Sequence, residues 1–128
     1  MSEKPKVGTA GWMDLTVEDA PRVRAFYEKV VGWSSVPVDM GGYEDHCMMP
    51  PNSKEGEMPA GGICHARGQN ADLPAAWIVY FIVEDLNASV REVEANGGSL
   101  IRPIKSMGAA RYAVIRDPAG AVCALYQP

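Results

Sequence analysis

The sequence has few cysteines and no spacing that would join them into a metal site or a disulfide framework. Its 128 residues include 3 cysteines, at positions 47, 64 and 123, with no C-x-x-C pair. An odd number of widely spaced cysteines favours free thiols in a reducing compartment. We therefore expect a cytoplasmic protein without structural disulfide bonds.

Excess basic charge and long apolar runs are also missing. The formal net charge is −4, whereas a nucleic-acid-binding protein normally presents a basic face. No apolar run, AWIVYFIV at 76–83 included, approaches the roughly 20 residues of a membrane-spanning helix. The first residues, MSEKPKVG, lack the apolar core of a secretion signal. We therefore expect neither a nucleic acid nor a membrane as partner.

Several catalytic motifs are absent as well. The sequence contains no G-x-S-x-G, no phosphate-binding loop, no G-x-G-x-x-G and no H-E-x-x-H. The serine hydrolases, nucleotide-binding proteins and zinc proteases that these motifs mark have no support in the sequence.

What the sequence does contain is a repeated stretch. VEDAPRVRAFYEKVVGW begins at Val17, and VEDLNASVREVEANGGS begins at Val83, 66 residues later. Each copy offers an aspartate as helix N-cap, an amphipathic segment and a glycine as helix terminator. The predicted apolar faces are Ala20, Val23, Tyr27, Val30 and Val31 in the first helix and Leu86, Val90 and Val93 in the second.

Strand-like segments surround both helices in the same order. Residues 10–17 and 76–83 precede the helices. WSSVPVDM, YEDHCMMP and AGGICHAR follow the first helix, and SLIRPI, ARYAVIRD and AVCALYQ follow the second. Asp117-Pro118-Ala119-Gly120 is a strong turn signal before the last strand. The order is therefore β-α-β-β-β twice, in module 1 at about residues 8–68 and module 2 at about 74–127.

The repeat predicts an α+β fold in one domain, residues 1–128. One helix cannot cover both faces of a three- or four-stranded sheet, so each module must bury apolar surface against another element. We expect the two βαβββ modules to form a curved mixed sheet around a groove that binds a small molecule. A second copy of the chain would complete such a groove, so we expect a homodimer.

Several of these segments carry a family resemblance over roughly residues 8–127. FYEKVVGW, WIVYFIVED and RDPAGAVCALYQP resemble the vicinal oxygen chelate superfamily of glyoxalase I, bleomycin-resistance proteins and extradiol dioxygenases. The most similar members are small single-domain glyoxalase-related proteins. The resemblance implies the paired βαβββ fold. It leaves open whether the chain is an enzyme, because one fold hosts many functions.

The resemblance also implies where a metal would be held. Catalytic members take His and Glu ligands from the first and last strands of each module, and the metal acts as a Lewis acid. Counting from each Val-Glu-Asp and from the D-P-x-G turn places Trp12, Ile78 and Ala124 at three of these positions. None of these side chains binds a metal. An alignment of Gly61-Gly62 with Gly120-Ala121 places His65 at the fourth ligand position. One imidazole alone does not form a metal site. We therefore expect no metal and no other cofactor.

His46-Cys47 and Cys64-His65 offer a possible replacement site on two neighbouring strands. If the residue numbers of paired residues on the two strands add up to about 110, His46 faces Cys64. Cys47 then shares the other side of the sheet with His65, Ile63 or both. Alternation along each strand then separates the four residues into pairs too small for a metal. Buried thiols and hydrogen-bonded histidines are the simpler interpretation.

The predicted ligand pocket contains Trp12, Asp14, His65, Ile78, Tyr80 and Ala124. Trp12 would offer a flat wall for a ring or would fill the space of the metal, and Tyr80 would donate a hydrogen bond or pack in the core. Asp14 would be a pocket acid or a solvated strand end. The favoured hypothesis is a metal-free protein that binds a small, partly apolar or aromatic molecule. The alternatives are a metal-dependent lyase, isomerase or dioxygenase with non-standard ligands, and an interaction domain with a filled groove.

Overall fold

The computed structural model describes residues 5–128, which divide into two compact units. The first unit is Met13–Trp77, and the second unit combines residues 5–12 with Ile78–Pro128. In chain order the elements are β1 (Ala10–Val17), α1 (Ala20–Val30), β2 (Ser34–Asp39), β3 (Glu44–Met49), β4 (Gly61–His65), β5 (Trp77–Ile82), α2 (Leu86–Ala95), β6 (Ser99–Leu100), β7 (Lys105–Met107), β8 (Ala110–Arg116) and β9 (Val122–Gln127). A short 3-10 turn covers Gly68–Asn70.

In the first unit the strands lie in the order β2-β3-β4-β1 with α1 on one face. β1 and β4 are parallel, and the other neighbours are antiparallel. The core on the α1 side is built on three fully buried side chains, Ala20, Met48 and Ile63. Around them pack Val17, Val23, Tyr27, Trp33 and Trp77.

The second unit repeats this plan with the order β5-β9-β8-β6, and β7 also pairs with β8. β5 and β9 are parallel, as β1 and β4 are in the first unit. Its core contains Leu86, Ala113, Ile115 and Leu125, and Val90 and Val93 of α2 pack against it. The predicted α+β class with two βαβββ modules is therefore confirmed.

The helix ends agree with the sequence. The carboxylate of Asp19 accepts a hydrogen bond from the backbone N–H of Arg22 at 3.2 Å, and that of Asp85 accepts one from Ala88 at 3.1 Å. Gly32 follows α1 with φ +85°, a conformation that glycine adopts without steric cost. Both N-cap predictions are thus confirmed.

Two details of the sequence prediction are wrong. Val30 and Val31 are 64% and 46% exposed, because the buried stripe of α1 ends at Tyr27. The predicted strand SLIRPI is only two residues long, and the chain pairs with β8 again at β7. Pro103 lies in the gap between them, and its missing N–H cannot donate to the strand ladder.

The two helices are short. Among residues 5–128, neither is long and apolar enough to cross a membrane.

Candidate functional site

Each unit has one sheet face covered by its helix and one face that its helix does not cover, called here the helix-free face. In the first unit the helix-free face carries Asp14 and Thr16 of β1, because Leu15 between them points into the core and is 5% exposed. Asp14 pairs with Gly62, and Thr16 pairs with Cys64 on β4. The same face therefore continues from β1 onto β4.

The thiols on this face are held neutral. Burial raises the pKa of the Cys64 thiol, and the nearby carboxylates of Asp14 and Asp45 raise it further. Burial also raises the pKa of Cys47, whose partner across β3 and β4 is Gly62. Because the thiolate is the nucleophile and the metal ligand, neither cysteine is activated for covalent chemistry or metal binding near neutral pH.

The helix-free face of the second unit is lined with tyrosines. Tyr80 on β5 pairs with Ala124 on β9, and Tyr112 on β8 pairs with Tyr126 on β9. The rings of Tyr80 and Tyr112 are tilted, with centroids 5.9 Å apart. All three tyrosines are partly exposed. Small and aliphatic side chains lie between them, and Ala124 and Val114 are 0% and 2% exposed.

Several predicted site residues belong to this arrangement. Ile78 and Tyr80 lie on one face of β5, and Ala124 lies opposite Tyr80. Ile78 is 1% exposed, so a molecule on this face meets the tyrosine rings before it reaches the aliphatic side chains. On β1, Trp12 and Asp14 share a face and are both partly exposed.

His65 lies on the other side of its sheet. β4 alternates, so His65 shares the α1 face with Ile63, whereas Gly62 and Cys64 share the helix-free face. The imidazole of His65 lies edge-on to the Tyr43 ring, with centroids 5.4 Å apart. The structure therefore does not bring His65 together with Asp14.

The sheet registers give Ala124 a different counterpart in the first unit from the one that the sequence predicts. The 66-residue repeat carries Asp14 onto Tyr80, and their partners in the parallel strand pairs are Gly62 and Ala124. The counterpart of Ala124 is therefore Gly62, three residues before His65. Glycine has no side chain to offer a metal.

The residues at the four family positions do not fit a metal. Trp12, Ile78 and Ala124 carry no metal-binding atom, and neither does Gly62. Among residues 5–128, no group of three or more His, Cys, Asp or Glu side chains is placed to hold a metal ion. The resemblance implies metal ligands at these four positions, and the four residues there carry no donor atoms for a metal.

The histidines and cysteines on β3 and β4 separate in a way that the sequence did not predict. The strands pair at positions that sum to 109, so His46 lies opposite Ile63 and Cys47 lies opposite Gly62. The two histidines share the α1 face, and the two cysteines share the helix-free face. The prediction that His46 faces Cys64 is wrong, because a register shift of one residue moves each side chain to the opposite face.

Tyr112 and Tyr126 were not predicted from the sequence as neighbours of Tyr80. The D-P-x-G turn at Asp117 contained the signal that predicts this pairing. The Asp117 N–H donates to the carbonyl of Ala121 at 2.9 Å, and counting outward along β8 and β9 from this pair reaches Tyr112 opposite Tyr126.

A comparison with known families defines the class of protein. Residues 9–125 match the model of the Glyoxalase/Bleomycin resistance protein/Dioxygenase superfamily. The chain belongs to this superfamily.

The similar proteins include an anthracycline biosynthesis protein and a putative glyoxylase. The anthracycline biosynthesis protein DnrV of Streptomyces peucetius is 32% identical, over 94% of this chain and 47% of that protein. The putative glyoxylase CFP32 of Mycobacterium bovis is 29% identical, over 96% of this chain and 45% of that protein. The chain thus spans about half the length of these relatives.

Solved structures show the same fold. Methylmalonyl-CoA epimerase from Mycobacterium tuberculosis superposes with a TM-score of 0.59 at 18% identity, covering 99% of this chain and 93% of that chain. The hypothetical protein BH1468 from Bacillus halodurans C-125 gives 0.64 at 14% identity, covering 96% of each chain. At these identities the likeness concerns the fold alone.

Proposed function

We propose that the chain binds a small, partly apolar or aromatic molecule on the helix-free face of its second unit, without a resident metal. The observation that carries this proposal is the tyrosine cluster Tyr80, Tyr112 and Tyr126, whose rings are partly exposed above the buried Ala124 and Val114. Aromatic rings pack against planar ligands in offset or edge-on geometry, and tyrosine adds a hydroxyl that orients the ligand.

The chemistry of this face fits a mostly apolar ligand that carries a polar or anionic group. Ile78, Val114 and Ala124 supply apolar surface, and the polar groups are the tyrosine hydroxyls and the ammonium of Lys105, which pairs with Tyr112. Small-molecule sites usually combine mostly apolar walls with a few polar groups in this way. We propose Ile78, Tyr80 and Ala124 as part of this surface. We propose separately that Trp12 and Asp14 on β1 contact ligand.

A relative supports the choice of an aromatic molecule. DnrV is named for anthracycline biosynthesis, and anthracyclines contain fused planar rings. A water-soluble anthraquinone sulfonate is therefore a suitable probe for this chain.

The lack of metal-binding atoms at the family's ligand positions supports the proposal that no metal takes part. The side chains at the family ligand positions are Trp12, Ile78 and Ala124, with Gly62 at the fourth position. The alternative, a metal-dependent lyase, isomerase or dioxygenase, would need ligands from elsewhere in the chain. Elemental analysis of protein purified without chelator separates the two: stoichiometric Ni, Zn, Fe or Mn would contradict the metal-free proposal.

The binding proposal is tested by nuclear magnetic resonance. Titration with the anthraquinone sulfonate should shift the signals of β5, β8 and β9 saturably. Equal shifts spread over both units, or no saturable shift, would contradict the proposal.

We also propose that the chain forms a homodimer in the cytoplasm. Each unit has one sheet face that its helix does not cover, and a second copy of the chain would complete a groove there. Cys47, Cys64 and Cys123 are all free thiols, which fits a reducing compartment. Light scattering on the purified protein should give twice the mass of 13.8 kDa. A monomeric mass at micromolar concentration would contradict the dimer.

A further inference from the structure

Two buried nitrogen atoms on the α1 face of the first unit lack a hydrogen-bond partner among the described residues. They are Nε of Arg24 on α1 and Nε2 of His46 on β3. A buried polar group without a hydrogen-bond partner destabilises the folded state, so such atoms are rare in folded proteins. Both side chains belong to the α1 side of the first unit, and Arg24 is near enough for its charge to act on His46.

The guanidinium of Arg24 is held in place by its neighbours. Nη1 of Arg24 donates to Oε1 of Glu28 at 3.1 Å, and the hydroxyl of Ser35 donates to Oε2 of the same carboxylate at 3.0 Å. The carboxylate of Glu28 is therefore engaged with Nη1 and with Ser35. The Nε–H of Arg24 is left directed at no acceptor among the described residues.

The imidazole of His46 is placed by the strand register. His46 lies opposite Ile63, whose side chain is in the α1 core. The His65 ring lies beside it, with centroids 6.3 Å apart. Tyr43 packs edge-on against His65, and the guanidinium of Arg67 lies 4.0 Å from the centre of the Tyr43 ring.

The electrostatics around His46 show a shortage of negative charge. Burial lowers the pKa of His46 most, and the charges of Arg24 and His65 lower it further. Asp45 and Glu44 oppose these effects more weakly. The surroundings therefore disfavour a proton on His46 until an anion is present.

From these contacts we infer a binding site for a small oxyanion, a carboxylate or phosphate group that accepts hydrogen bonds from Arg24 Nε–H and His46 Nε2–H. The site lies on the opposite face of the sheet from Asp14 and Cys64. It is independent of the tyrosine face of the second unit. Protonated His46 donates from both ring nitrogens, so the anion should bind more tightly at acid pH and should raise the pKa of His46.

The chain has only 2 histidines, so imidazole signals give a direct test. We would titrate the intact protein with sodium phosphate and, separately, with sodium acetate, at constant ionic strength and at pH values above and below the ordinary histidine pKa. Saturable shifts of the His46 signals with either salt support the site, and the salt that binds distinguishes phosphate from carboxylate. No saturable shift with either salt overturns the inference and leaves a bound water as the partner of these atoms.

Two variants of α1 separate the site from general charge effects. Arg24→Gln should weaken binding about tenfold or more, because a charge-assisted hydrogen bond is lost. Arg22→Gln removes an exposed positive charge on the same helix and should change binding less than about twofold. Arg24→Lys keeps the charge without the Nε–H and should also weaken binding, which covers the case that Arg24→Gln does not fold. Equal affinity in the Arg24 and Arg22 variants would overturn the inference.

Discussion

Trp77 donates a hydrogen bond from its indole Nε1 to the hydroxyl of Tyr27 at 3.0 Å, across 50 residues of sequence. The two rings also meet edge-on, with centroids 5.3 Å apart, and Trp33 lies 5.8 Å from each of them. This aromatic cluster ties α1 to the start of β5 within the first unit.

We predict that the Trp77–Tyr27 pair contributes jointly to stability. Trp77→Phe and Tyr27→Phe should each lower the free energy of unfolding by about 1 to 2 kcal/mol, because each removes the same partly buried hydrogen bond. The double variant should lose less than the sum of the two, as measured by urea denaturation. Fully additive losses would show that the hydrogen bond carries no coupling.

The two N-cap aspartates should contribute similar amounts to the free energy of unfolding. Asp19→Ala and Asp85→Ala each remove a side-chain acceptor for a first-turn N–H, and each should cost about 0.5 to 2 kcal/mol in urea denaturation. α2 has a second acceptor, since Oε1 of Gln127 receives the N–H of Leu86 at 2.7 Å. Gln127→Ala should therefore also destabilise the protein. Glu18→Ala changes an exposed neighbour and serves as the control.

We predict that the titration of His46 lowers the free energy of unfolding at acid pH. Its pKa is lowered in the folded protein, so the unfolded chain binds the proton first as the pH falls below the ordinary value of 6.5. The stabilisation is present above that pH and is lost as the pH falls toward the folded pKa. His46→Gln should flatten this part of the curve of unfolding free energy against pH, measured in a buffer without phosphate or carboxylate. An unchanged slope in the variant would contradict the role of His46.

Cys64 should be the least reactive of the three thiols. Burial and two carboxylates raise its pKa, whereas burial alone raises that of Cys47 and burial with Asp117 raises that of Cys123. Alkylation followed by mass spectrometry should modify Cys64 last at mildly alkaline pH, because the thiolate is the reacting form. Faster modification of Cys64 than of Cys47 would contradict this order.

Local signals were sufficient to predict the fold. The aspartate caps, the glycine terminators and the D-P-x-G turn act within a few residues, and the structure has them where the sequence placed them. The exposure of Val30 and the division of the strand after α2 depend on tertiary packing, which periodicity does not contain.

The candidate site was harder to predict, because the side of the sheet on which a side chain lies depends on how neighbouring strands are paired. A pairing sum of 109 instead of 110 moves His46 to the same face as His65. Likewise, Gly62 rather than His65 is the counterpart of Ala124, because β4 and β9 pair with their parallel partners in matching register. Tyr112 and Tyr126 could have been found by counting from the turn at Asp117.

The most direct test of the central claim is the affinity of chelator-treated protein for the anthraquinone sulfonate, measured by calorimetry in Tyr112→Leu and Tyr80→Leu. We predict that wild-type protein binds equally well with and without chelator and that each substitution weakens binding about three- to tenfold, in line with the free energy of one aromatic contact. Tyr43→Leu, on the first unit, should bind like wild type. Binding that requires an added metal, or that is unchanged in both tyrosine variants, would contradict the account.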